Sequence, residues 1–201
     1  HASEATPAST WSAHNPPLSS CPPLKENTVS QTPITQALQR VQSVFSRRPE
    51  AGLHDDTPAT AQWTNGMRVV VRHANGTALP SDMPTEFGGA GDEVTPGWFF
   101  RAGLASCATT SITRAAALQG LPIEALEVRA ESRSDARGMF AMTDADGRQV
   151  PAGPLEVSLT VRIVKTPEEI KRIQGLYARC QFLNTRNLFV TFETTPEAVR
   201  T

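Results

Sequence analysis

At 201 residues the chain is long enough for one domain with a real hydrophobic core. A formal net charge of −1 excludes a general attraction to nucleic acid or to an anionic membrane. No apolar run approaches the roughly 20 residues that span a bilayer. The first residues lack the basic and apolar regions of a secretory signal, so cytosol is the expected compartment.

Residues 1–32 are rich in Pro, Ser, Thr and Ala and read as a flexible tail. Cys21 sits in it between Ser20 and Pro22, an incidental thiol. A helical extension follows at residues 33–50. Ile34, Ala37, Leu38, Val41, Val44 and Phe45 recur at helical spacing, so one face is apolar and needs a partner. The main domain is expected over residues 59–201. Ala61 and Trp63 precede Asn65-Gly66, a hairpin signal, and an apolar strand leads on to a second turn at Asn75-Gly76.

Thr95-Pro96 is a strong helix start, with Thr as N-cap and Pro in the first helical position. Gly120 and Pro122 end the helix. At 1.5 Å per residue it is roughly 36 Å long. Its many small residues let neighbours approach closely, so it belongs in the interior against a sheet. Residues 126–131 and 155–164 alternate apolar and polar as half-buried strands do. Thr166-Pro167-Glu168-Glu169 opens another helix. Residues 188–193 read as a closing strand. This order of strands and helices gives an α+β fold class. The segment 134–138 (Ser-Asp-Ala-Arg-Gly) reads as a structural turn.

The remaining thiols, Cys107 and Cys180, lie on two different helices. Three scattered cysteines are not a disulfide framework, there is no CxxC, and the four histidines have no ligand spacing. No metal site is expected. Spacing alone leaves two readings of Cys107 open. Buried cysteine is a common core filler; a reactive one needs a nearby cation to hold the thiolate. Arg101 points about 120° away around the helix, and Arg114 lies about 10 Å along the axis.

These residues resemble the OsmC/Ohr family (osmotically induced protein C and organic hydroperoxide resistance protein). The resemblance rests on Phe87-Gly88-Gly89-Ala90-Gly91 followed by Thr95-Pro96-Gly97, on the Ala105-Ser106-Cys107 helix, on Gly120 with the strand after it, and on Cys180 ahead of the last strand. It implies an OsmC-like fold, with strands wrapped around a long central helix in an intertwined homodimer. It also implies thiol-dependent reduction of organic hydroperoxides: Cys107 is the expected nucleophile, and Cys180 the thiol that resolves its sulfenic acid. No bound cofactor is implied; an external dithiol, of lipoyl type in part of the family, is the expected reductant. Trp98, Phe99 and Phe100 are the expected lining for an apolar peroxide. Trp98 stands where Ohr-type members carry a glutamate, and the hairpin at residues 63–66 holds no arginine. Arg101 with Asp82 or Glu86 is the substitute pair to look for. The alternative reading is a non-catalytic module of the same fold that binds a small apolar ligand at the dimer interface. The expected partners are a second copy, a hydroperoxide and a dithiol, with no nucleic acid and no membrane.

Overall fold

The computed structural model describes residues 32–177 and 188–194. Helix α1 (Thr32–Arg47) leads to a sheet of β1 (Thr60–Asn65), β2 (Arg68–Arg72) and β3 (Ala78–Ser81), paired antiparallel in that order. The long helix α2 (Pro96–Leu118) follows, then β4 (Leu126–Ser134), β5 (Pro154–Ile163), α3 (Pro167–Tyr177) and β6 (Leu188–Thr194). The second sheet has the order β4-β5-β6. Its first pair is antiparallel and its second parallel, so α3 lies in the crossover that parallel neighbours require.

Local chemistry fixes the ends of α2. Thr95 is extended, and its hydroxyl accepts the Trp98 amide at 3.2 Å while Pro96 occupies the first turn. At the other end Gly120 takes a positive φ of 65° and the Leu121 amide returns to the Ala116 carbonyl. Helix α3 opens on a reciprocal cap: Thr166 N–H donates to Glu169 Oε2 at 2.9 Å, and Glu169 N–H donates to Thr166 Oγ1 at 3.3 Å. The Thr166 amide, then the neighbouring Lys165 charge, hold the Glu169 carboxyl below its ordinary range despite partial burial.

The core lies between α2, the second sheet and α3. Ala108, Ile112, Ala115 and Ala116 meet Leu159, Val161 and Ile163 of β5 and Ile170 and Ile173 of α3. The period of two in β5 puts Val157, Leu159, Val161 and Ile163 on one buried face. The alanines on α2 allow the sheet to come close, as their spacing suggests.

Only one side of α2 is covered in this way. Gly103, Ser106, Thr110 and Arg114 form an exposed stripe on the opposite side, and Trp98 and Phe100 are about half exposed. The expected packing of this helix against a sheet holds on one side, and among the described residues of one chain the other side is exposed. Helix α1 docks on the C-terminal end of α2, where Thr35 Oγ1 donates to the Ala117 carbonyl at 3.1 Å. Its docking is partial, since Val41 and Phe45 remain exposed. The first sheet is also open: every residue of β1 is exposed, Trp63 among them.

Candidate functional site

Cys107 lies near the middle of α2 and is half-buried. It stands on the border between the two sides of the helix. Ala108 and Ser111 next to it are buried, whereas Gly103 and Ser106 are exposed. A Cβ at Gly103, one turn back, would meet nothing within 4 Å, so the helix surface there is open. Cys180 and Cys21 lie outside the described residues.

Asp82 is buried at the end of β3. It is 2 % exposed. Its Oδ2 accepts Arg68 Nη2 at 3.1 Å and the Ala90 amide at 3.0 Å, and its Oδ1 accepts the Met83 amide at 2.8 Å. Arg68 Nη2 also donates to Asp92 Oδ1. The carboxylate thus ties the glycine-rich loop to β2 and to the end of β3. Gly89 is required there, because any Cβ would overlap the Met83 carbonyl oxygen. The Ala90 amide holds the Asp82 carboxyl below its ordinary range, helped by the Met83 amide and Arg68 and opposed by burial. The hydrogen bond to Asp82 in turn raises the Arg68 guanidinium further.

Arg101 therefore does not pair with Asp82, and this corrects the substitute pair expected from the sequence. Its Nη1 donates to Ser132 Oγ at 3.1 Å and lies back over the first turn, 3.6 Å from where a Cβ on Gly97 would stand. Glu86 is exposed, and Thr85 Oγ1 donates to it at 3.3 Å. Arg68 was not among the expected site residues, because it belongs to a run read only as an apolar strand. The register of β2 and β3, which pairs Val69 with Ser81, brings Arg68 toward Asp82, and local spacing carries no signal of it.

A groove of about 740 Å³ opens between the N-terminal end of α2 and the far end of the second sheet. Phe87, Phe100, Met139 and Leu155 supply apolar walls, and Arg101, Ser132, Arg133 and Asp135 the polar ones. Of the three expected aromatics only Phe100 lines it. Trp98 instead packs edge-on against Phe99, ring centroids 5.7 Å apart. The turn after β4 is structural, as read: Asp135 caps it by accepting the Arg137 amide at 3.0 Å, and Gly138 is pressed against the Pro151 carbonyl. It also walls the groove, which its sequence did not reveal. The Arg137 side chain, then its amide, hold the Asp135 carboxyl below the usual range.

An α+β chain whose half-buried thiol sits on a long, sheet-packed helix behind a glycine-rich loop defines a recognisable class. The family model described as OsmC-like protein matches residues 89–194, more than half of the chain. The chain belongs to the OsmC-like protein family. Similar solved structures include an organic hydroperoxide resistance protein OsmC from Legionella pneumophila, with 23% identity over 72% of this chain and 99% of that one and a TM-score of 0.52. An OsmC-like protein from Mycoplasma pneumoniae has 17% identity over 71% and 98%, with a TM-score of 0.55. A hydroperoxide resistance protein from Vibrio cholerae, with captopril bound in one of its active sites, has 18% identity over 70% and 94% and a TM-score of 0.51. At these identities the likeness is one of fold. Among curated proteins none is significantly similar in sequence to this chain.

Proposed function

We propose that the protein reduces organic hydroperoxides with Cys107 as nucleophile and Cys180 as resolving thiol. The observation that carries this reading is the position of Cys107, half-buried on α2 inside the family-matched segment. The Cys107 thiolate attacks the terminal peroxide oxygen, the O–O bond breaks, and the alkoxide leaves as the alcohol after taking a proton. The sulfur is now a sulfenic acid, oxidised by two electrons. The Cys180 thiol displaces its hydroxyl as water and closes a disulfide. An external dithiol, of lipoyl type, reduces that disulfide by exchange. The working unit is a homodimer, in which a second copy covers the exposed side of α2 and the open first sheet.

Steady-state turnover of cumene hydroperoxide with dihydrolipoamide tests the reading. Cys107→Ser is expected to lose at least a hundredfold in rate, and Cys180→Ser to lose turnover with the lipoyl dithiol. Undiminished turnover in Cys107→Ser rules the chemistry out. One observation favours the second reading, a non-catalytic module: the 740 Å³ groove is lined by Phe100 and not by Cys107.

A further inference from the structure

Two turns of the first sheet carry the same dipeptide. Asn65-Gly66 joins β1 to β2, and Asn75-Gly76 joins β2 to β3. All four residues are exposed. An asparagine followed by glycine is chemically labile. The glycine nitrogen attacks the carbonyl carbon of the asparagine side chain, and with no Cβ on the glycine nothing obstructs the approach. The attack needs two freedoms: a glycine N–H that is not donating elsewhere, and an asparagine side chain that can swing toward it.

The fold withholds both freedoms at one turn and leaves both at the other. Asn75 Oδ1 accepts the Thr77 amide at 2.9 Å, and the Asn75 amide donates to His73 Nδ1 at 3.1 Å. The Gly76 N–H donates to the His73 carbonyl at 3.0 Å. Asn75 is therefore held in an Asx turn and its would-be nucleophile is engaged. At Asn65, among the described residues, no hydrogen bond holds the side chain and none takes up the Gly66 N–H. Trp63 Nε1 donates to the Gly66 carbonyl at 2.9 Å, which leaves the attacking nitrogen untouched. The pairing of β1 with β2 slips between Trp63 and Asn65, so the ladder is already irregular where the chain has to move.

We propose that Asn65 is a site of spontaneous deamidation, and that the hydrogen bonds of its turn protect Asn75. The Gly66 nitrogen gives its proton to base and bonds to Asn65 Cγ; the Cγ–Nδ2 bond breaks and ammonia leaves. Water then opens the five-membered imide at either carbonyl. The product is aspartate or, where the chain now runs through the side chain, isoaspartate. The consequence falls on the clamp of the glycine-rich loop. Asn65 borders a hollow of about 440 Å³ together with Arg68, Asp82, Gly88, Gly89 and Ala90. A carboxylate at position 65 adds negative charge where Asp82 and Asp92 already share Arg68. Isoaspartate also lengthens the backbone inside the hairpin. The proposal goes beyond the peroxidase reading and stands whether or not Cys107 turns over peroxide.

The test follows both sites by peptide mapping and mass spectrometry while the full chain is incubated in mildly alkaline buffer, with and without urea. In urea the two dipeptides differ only in their neighbours, and their deamidation rates are expected to be about equal. In the folded protein the ratio of the Asn65 rate to the Asn75 rate is expected to be at least tenfold higher than in urea. Methyl transfer by an isoaspartyl methyltransferase reads the product independently. Asn65→Gln should remove most of that signal, since glutamine closes only a slower six-membered ring, and Asn75→Gln should remove little. A rate ratio that folding leaves unchanged, or lowers, overturns the proposal. Two equally slow sites are the result expected if a second copy closes over the β1–β2 turn. An isoaspartyl signal that survives Asn65→Gln in full overturns it too. Neither readout involves peroxide, so failure here leaves the peroxidase reading standing, and the reverse.

Discussion

Asp82 shows how a single residue can be legible as chemistry and illegible as structure. The sequence marks it as an acid near a glycine-rich loop and offers Arg101, on the following helix, as its cation partner. Its partner is on β2, because strand register sets what lies opposite the end of β3. Cross-strand pairing is not written in local spacing. The consequence for stability has a definite sign. Asp82 has a lowered folded-state pKa, so its contribution is complete above the unfolded value of about 4 and is lost as pH falls through the lowered folded value. Chemical denaturation from pH 7 down through the acid range should show stability falling over this window. Asp82→Asn should be less stable at pH 7 and should show a flatter acid limb. An unchanged acid slope would mean that the clamp is not ionised in the folded protein.

At the scale of elements, what was legible was what is local. Thr95-Pro96 and Gly120 mark the ends of α2, and the alternation over residues 155–164 marks β5, because caps and strand periodicity depend only on neighbours. The parallel pairing of β5 with β6 and the groove were not legible. The first needs the crossover through α3, and the second needs residues 97–101, 132–136 and 153–155 to converge. Helix α2 holds its place through its buried side, where Ile112 is fully enclosed by β5 and α3. Ile112→Ala removes that packing and leaves a cavity, and about 2–5 kcal/mol of destabilisation is expected. Thermal or urea unfolding checks this value. A loss below about 1 kcal/mol would place Ile112 outside the main core.

For the whole molecule, the most informative fact is what one chain leaves uncovered. The stripe of Gly103, Ser106, Thr110 and Arg114 runs along the helix that carries Cys107, and the β1–β3 sheet exposes Trp63 and Leu79. A second copy that covers both surfaces is expected in solution. Sedimentation at micromolar concentration should give twice the mass of the 21.7 kDa chain, and a strictly monomeric species would contradict this. Such a dimer would turn the exposed border beside Cys107 into an enclosed one. The central claim, that Cys107 and Cys180 form a redox pair, is tested most directly by intact-mass analysis after one equivalent of cumene hydroperoxide without reductant. The account predicts loss of two hydrogens and, on peptide mapping, a Cys107–Cys180 disulfide within one chain. Two intact thiols at these positions after the peroxide has been consumed, or a stable oxygen adduct on Cys107 with Cys180 still reduced, would contradict it.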